Sequence, residues 1–323
     1  MTRKKIRIIA LVLPILMLFA IESQGQQAPI FTNYTNSYAY INPGYAGLSE
    51  GVNLLGLYRQ QWAGFQDADG NNVAPQTFLF TGDMPIRVLR GGVSLAVLQD
   101  KIGFENNVGV NLGYSYHLDL GGSTLGIGVA LNLLNRSVDF SQFKPNNSSD
   151  PLLQGLGKES ELLPDFNLGL FWQIPESFYL GFSVTNTIET MGKALSDNAT
   201  SSASFTTDRT FYLVAGYQLQ FETLPSYVFQ PSVGVLTDLA STQINVSGRV
   251  IYNNLFSLGV NYRLQESIAL TAGILIKDIY VGYAYDINLM GLGVPGSHEI
   301  ALSYCFKLNF DKTPRNYRSV RYL

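Results

Sequence analysis

Hydrophobic and polar residues alternate with a period of two along most of this chain. Val108, Val110, Leu112, Tyr114, Tyr116 and Leu118 fall on one face of a run whose other face carries Gly109, Asn111, Gly113, Ser115, His117 and Asp119. The next segment repeats the pattern, setting Leu125, Ile127, Val129, Leu131 and Leu133 against Gly126, Gly128, Ala130 and Asn132. Near the C-terminus, Ile300, Leu302, Tyr304, Phe306, Leu308 and Phe310 oppose Glu299, Ala301, Ser303, Cys305, Lys307 and Asn309. Successive side chains of a strand point to opposite sides, so each run predicts a strand with one apolar face. Amphipathic helical spacing is hard to find, and beyond the N-terminal region no apolar run is long enough for a membrane helix.

Read this way the chain holds about fourteen strands, an even number as bacterial single-chain membrane barrels require. They are expected at 51–62, 76–85, 91–100, 106–119, 123–136, 164–174, 177–188, 208–222, 226–238, 242–252, 255–265, 267–277, 279–288 and 297–310. A soluble β-sandwich also alternates, and its solvent face normally carries Lys, Glu and Arg. Here the polar face is mostly Gly, Ser, Asn, Thr and Ala, as suits the inside of a lumen. The connections agree with a barrel whose N-terminal side is periplasmic, because every long one is odd-numbered: 63–75, 137–163, 189–207 and 289–296. Even-numbered connections are short, such as Gly121-Gly122, Asn253-Asn254 and Lys277-Asp278. Short periplasmic turns and longer external loops are the rule for outer-membrane barrels.

Composition sharpens this picture. Hydrophobic residues make up 46% and charged residues only 14% of the chain, where a soluble domain averages about 25% charge. Mean hydropathy is only +0.10, too low for a bundle of membrane helices. A barrel fits between the two, since only alternate strand residues face lipid. The formal net charge of -3 gives no nucleic-acid footprint.

At the N-terminus, Arg3, Lys4, Lys5 and Arg7 precede an apolar run over 8–21 that Pro14 interrupts, and Ser23 and Gly25 supply small residues before a cleavage site. This predicts a signal peptide over 1–25 that is cleaved in the mature protein. The remaining organisation is then a periplasmic N-terminal segment over 26–50, an antiparallel up-and-down transmembrane β-barrel over 51–310, and a basic periplasmic tail over 311–323. Both ends are expected in the periplasm. The sole cysteine, Cys305, lies far from the cleavage site, so it offers no acyl anchor there and no intrachain disulfide.

Catalysis has little to work with, and no catalytic, cofactor or metal residue is assigned. His117 is expected on the lumen face beside Asp119 as a hydrogen-bonded structural histidine, His298 as strand-end packing, and Cys305 as a small lumen filler. Asp67-Ala68-Asp69-Gly70-Asn71 resembles the start of a calcium loop, but Phe78 stands where the twelfth-position glutamate belongs, so a plain external turn is expected. Gly91 to Ala96 fails the nucleophile-elbow pattern, and Gly157-Lys158 fails the phosphate-loop pattern. Asp100, Glu105 and Asp165 fall at strand ends or loops and are expected as solvated charge. In the tail, Arg315, Arg318 and Arg321 interleave with Tyr317 and Tyr322, a pairing of charge and aromatic anchors suited to docking on a partner's acidic groove.

Several short motifs follow one another along the chain: Ile41-Asn42-Pro43-Gly44-Tyr45-Ala46-Gly47, Tyr58-Arg59-Gln60-Gln61-Trp62-Ala63-Gly64-Phe65, Asp100-Lys101-Ile102-Gly103 with Glu105-Asn106, Val281-Gly282-Tyr283-Ala284-Tyr285-Asp286, Gly296-Ser297-His298-Glu299-Ile300, and the C-terminal Arg318-Ser319-Val320-Arg321-Tyr322-Leu323. Taken in this order, they resemble the PorP/SprF family of outer-membrane proteins of the Bacteroidota type IX secretion and gliding machinery. Gly44 stands in place of the usual alanine, and Val320 stands where proline is common. With no catalytic or cofactor motif among the residues, the chain is expected not to be an enzyme and to carry no cofactor, and the resemblance implies an integral outer-membrane protein. It further implies work with secretion-machinery components to export, anchor or energise a cognate surface protein such as an adhesin. The alternative is a porin-like or fatty-acid-transporter-like channel. Porin lumens tend to carry charged constriction rings, whereas this inner face reads as small and weakly charged, which suits a filled interior.

Overall fold

The computed structural model describes residues 29–49, 51–67, 70–142, 157–194, 204–290 and 294–307. Its first seven strands are β1 (Gly51–Gln60), β2 (Gln76–Ile86), β3 (Gly91–Ile102), β4 (Glu105–Asp119), β5 (Thr124–Asp139), β6 (Lys158–Ile174) and β7 (Phe178–Thr185). A short hairpin, β8 (Met191–Ala194) and β9 (Ser204–Thr206), stands apart from the main sheet. Then come β10 (Thr210–Tyr217), β11 (Leu219–Phe221), β12 (Leu224–Thr237), β13 (Thr242–Tyr252), β14 (Phe256–Arg263), β15 (Ser267–Ile276), β16 (Ile279–Asn288) and β17 (Ser297–Lys307).

Each barrel strand pairs antiparallel with its sequence neighbours, and β1 pairs with β17 from Gly51↔Lys307 to Gln60↔His298, which closes the sheet. Both β10 and β11 pair with β12, so they are two segments of one strand broken at Gln218. The barrel therefore has fourteen strands, as the alternation predicts, and closure leaves no free edge. Outward positions such as Leu112, Ile127, Val129, Leu258 and Leu302 are exposed, while Gly109, Asn111, Gly113 and Ser115 point inward. The outward aromatics form two belts, with Tyr58, Phe78, Tyr262 and Tyr285 toward the long-loop end and Tyr116, Tyr217, Tyr252 and Phe306 toward the other, as the two membrane interfaces require.

The short turns have a local cause. Asn253 and Asn254 have φ of 51° and 53°, and Gly121 and Gly122 have φ of 72° and 97°, the left-handed backbone that two-residue hairpins need. One connection is shorter than expected: β5 and β6 stay paired out to Asp139↔Lys158, so the loop spans 140–157 rather than 137–163. The added strand is polar on both faces, with Lys158, Glu159, Ser160 and Glu161, and so carries no alternation to read.

The face assignment carries a prediction. Leu112 is 50% exposed in the middle of β4, so Leu112→Arg is expected to cost about 2 to 4 kcal/mol of folding free energy in lipid. A urea titration of folded protein in vesicles checks it, and an unchanged midpoint would place Leu112 away from lipid.

Candidate functional site

The lumen is occupied by the chain itself. Residues 29–49, expected as part of a periplasmic extension, instead run down the inside of the barrel. Pro29 sits near Ile102, Glu105 and Arg136 at the long-loop end. The carbonyl of Leu48 accepts from Gln173 Nε2 (3.0 Å) near the short-turn end. The reason for the correction is hydrophobic. Phe31, Tyr34, Tyr38 and Ile41 are all buried, and a periplasmic arm would leave them in water. Phe31 packs with Leu55, Leu57, Leu79, Leu98 and Ala301 of the inner wall. Tyr34, Tyr38 and Ile41 pack with Phe171, Tyr212, Val214 and Leu236.

Three single-turn elements shape this plug: a 3-10 turn at Tyr34–Asn36, an α-helical turn at Tyr38–Ile41, and a 3-10 turn at Pro43–Tyr45. Asn42 is extended, as a residue before proline prefers, and its side chain caps the last turn by accepting from the Gly44 N–H at 2.8 Å. Proline at the first position of that turn lacks only an N–H that would have gone unpaired. The same Asn42 amide donates to the carbonyls of Leu170 (3.0 Å) and Phe182 (3.2 Å).

Around Asn42–Gly47 the wall is paved with glycine. A Cβ on Gly128 would collide with the backbone of Pro43 and Gly44, one on Gly126 with the Gly44 carbonyl, and one on Gly92 with Ala46 and Gly47. The small inner face of β3 to β6 is thus the seat of the NPGYAG segment. Polar groups on that wall complete it: Ser115 Oγ donates to the Gly44 carbonyl (2.9 Å), Ser183 Oγ to Ile41 (2.6 Å), and Asp83 accepts from the Gly47 N–H (3.1 Å). His117 also faces the lumen, and its Nε2 lies 2.9 Å from the Ala46 carbonyl. It is structural, as expected, but its partner is the plug rather than Asp119.

Toward the long-loop end, three motifs that lie far apart in sequence meet in one buried ionic cluster. Arg59 of β1 pairs with Asp286 of β16 (2.6 Å) and Glu299 of β17 (3.2 Å). Arg263 of β14 adds Glu266 (2.6 Å) and approaches Asp286 (3.7 Å). Glu299, fully buried, accepts from the N–H groups of Thr32 (2.8 Å) and Asn33 (2.7 Å) and from Asn33 Nδ2 (2.8 Å). The Thr32 hydroxyl donates to Asp286 (2.7 Å) and accepts from Arg59 (3.1 Å). The cluster pairs two guanidinium groups with three carboxylates and holds the head of the plug.

Arg59, Asp286 and Glu299 are members of the sequence motifs, but the motifs alone assign them no role. The available signal was a charge at an inward position of strands otherwise lined with Gly, Ser and Ala, since a charge in a closed lumen must find a partner. Two of the carboxylates expected in solvent are corrected as well. Asp100 is buried and accepts from the Thr77 hydroxyl at 2.6 Å. Asp165 is fully buried and accepts from the N–H groups of Phe166, Ile188 and Thr190 and the Thr207 hydroxyl, which pins the loop after β7. Asp67 takes the Asn71 N–H (2.8 Å) and Nδ2 (2.9 Å), which closes the first external turn on itself. His298 faces outward, with Nδ1 2.7 Å from the Tyr283 hydroxyl. The signal segment 1–25 and the tail residues Arg315, Tyr317, Arg318, Arg321 and Tyr322 lie outside the described residues.

Among solved structures, the toluene transporter TbuX of Ralstonia pickettii is similar at 15% identity, covering 89% of this chain and 97% of that one with a TM-score of 0.50. The CymD monoaromatic hydrocarbon channel is similar at 12% identity, covering 84% and 93% with a TM-score of 0.50. At such identities the likeness is one of fold. Among curated proteins none matches the sequence. The sequence profile described as type IX secretion system membrane protein PorP/SprF matches residues 23–304.

Proposed function

The chain belongs to the PorP/SprF family of type IX secretion system membrane proteins, and from that membership and the filled lumen we propose that it is a non-catalytic docking platform. It is an integral outer-membrane protein and a component of that secretion system. In our reading it supports the export, anchoring or energisation of one cognate surface protein, such as an adhesin of a gliding bacterium. The observation that carries this is the plug. A barrel whose interior is filled and hydrogen-bonded to its own residues 29–49 offers its loops and ends to partners rather than a pore to solutes. The channel alternative would need the plug to leave.

The basic tail is the proposed contact on the periplasmic side, through Arg315, Arg318, Arg321, Tyr317 and Tyr322. The test is affinity purification of the tagged chain from its native envelope, with and without residues 312–323. The intact chain is expected to retain machinery components and one secreted protein, and the truncated chain to stay folded in the outer membrane while surface display of that protein is lost. Normal display without the tail would overturn the docking role. Absence of any secretion component from the intact purification would overturn the platform itself.

A further inference from the structure

We infer that the plug is threaded outward, so that the residues ahead of Pro29 leave the barrel through its outer mouth and the mature amino terminus lies at the cell surface. The contacts of residues 29–49 descend the lumen in order. Pro29 stands beside Ile102, Glu105 and Arg136, and Ile102 and Glu105 flank the external turn between β3 and β4. Below it, the Thr32 and Asn33 N–H groups donate to Glu299 (2.8 and 2.7 Å), and the Gly44 carbonyl accepts from Ser115 (2.9 Å). The Ala46 carbonyl lies 2.9 Å from His117 near the inner end of β4. Leu48 meets Gln173 at the inner end of β6, and Gly51 then opens β1 opposite Lys307. The chain thus enters β1 from the periplasmic side with its amino-terminal end pointing out.

The head of the plug bars the chain ahead of Pro29 from turning back. The sheet closes on itself through β1 and β17, so the lumen opens only at its two ends. Burial rises inward from Pro29 and Ile30, which are half-buried, to Phe31, Thr32, Asn33 and Tyr34, which are buried. Beside them the wall is committed: Glu299, Arg59 and Asn261 already bond Thr32 and Asn33. A segment doubling back there would bury backbone groups without partners. Length decides the matter. With the expected cleavage before Gln26, residues 26–28 remain ahead of Pro29. Three residues span at most about 11 Å, less than half of the roughly 25 Å apolar band of such a barrel. From the outer mouth the terminus cannot reach the periplasm, where the sequence alone places it. It is offered instead with the head of the plug, beside the β3–β4 turn and the segment after β9, to a partner that docks on the outer loops. The inference rests on the plug and not on the platform reading.

The test is labelling of intact cells with a polyethylene-glycol maleimide too bulky to pass a porin, on single-cysteine variants in a Cys305→Ser background. Each variant is first shown to be folded by its heat-dependent shift on gels. Ala28→Cys is expected to label as strongly as Leu239→Cys, at the exposed external turn between β12 and β13. Asn254→Cys, at the periplasmic turn between β13 and β14, should label only after the outer membrane is permeabilised. Ser37→Cys, close to isosteric at a fully buried position of the plug, reports on the plug itself: in purified folded protein it should resist a small maleimide and react once unfolded in urea. Ala28→Cys that behaves like Asn254→Cys would overturn the outward threading. So would Ala28→Cys that reacts in neither condition, because the terminus would then lie inside the lumen. In both cases an unreactive Ser37→Cys leaves the plug standing. A reactive Ser37→Cys in folded protein would instead remove the plug, and the outward threading with it.

Discussion

Glu299→Ala is expected to destabilise the folded protein by about 3 to 5 kcal/mol, the cost of breaking a buried charge network by removing one partner. Glu299 is fully buried and satisfies four donors at once: two plug N–H groups, the Asn33 amide and Arg59. Its loss strands the Thr32 and Asn33 N–H groups and leaves Arg59 with Asp286 as its one paired carboxylate beside the Thr32 hydroxyl. The head of the plug should therefore loosen along with the loss of stability, and hydrogen exchange at the Thr32 and Asn33 amides should accelerate. Removing charge from both sides, as in Arg59→Met with Glu299→Leu, should recover part of the stability, because an apolar pair of similar volume leaves no unpaired guanidinium and Asp286 keeps Arg263 at 3.7 Å. It should not restore protection at Thr32 and Asn33. Urea titration with amide exchange on the same samples checks both points. A single variant within about 1 kcal/mol of wild type would show the cluster to be incidental.

Gly128→Val is expected to expel the lower half of the plug while leaving the barrel closed. The new side chain would meet backbone atoms of Pro43 and Gly44, which cannot rotate away as a side chain can. Core overpacking costs about 1 to 3 kcal/mol where neighbours can adjust. Here the cheaper response is for residues 42–47 to leave their seat, because strand pairing of Gly128 with Ser115 and Gly169 does not require them. Limited proteolysis of folded protein should then cut within 42–47, where wild type resists. Gly109→Ala is the control: it also faces the lumen, but its Cβ would make ordinary contacts with Leu134 (3.6 Å) and Leu98 (4.0 Å), and it should remain resistant. Equal resistance in Gly128→Val would mean that the wall does not seat the plug.

The barrel was readable from the sequence because it is built from local, repeated chemistry. Leu112 and its neighbours at i±2 announce an outward face whatever the rest of the chain does, and Asn253-Asn254 announces a turn. The plug has no such signature. Its turns are three or four residues long, so Phe31, Tyr34, Tyr38 and Ile41 follow no period, and their partners Leu57, Phe171 and Leu236 are distant in sequence. A segment rich in Tyr, Asn, Pro and Gly reads as a soluble arm until the lumen wall is in place to bury it. The ionic cluster was hidden for a related reason. Arg59 appears alone in its strand, and only closure of β1 on β17 brings it to Glu299 and Asp286. Asp165 was misread because a carboxylate between a loop and a strand is usually solvated, and its burial depends on the path of the loop after β7. The preference for Gly, Ser and Asn on the inner face did carry the correct message, that the interior is filled, without saying by what.

The central claim is that the chain's own residues 29–49 fill the barrel, and single-channel recording tests it most directly. Purified full-length protein in planar bilayers is expected to show no steady conductance above the bilayer leak, whereas a variant lacking residues 29–46, reconstituted in the same way, should open a stable pore. Steady open-channel conductance from the intact chain, equal to that of the deletion variant, would contradict the plugged barrel and return the protein to the channel class.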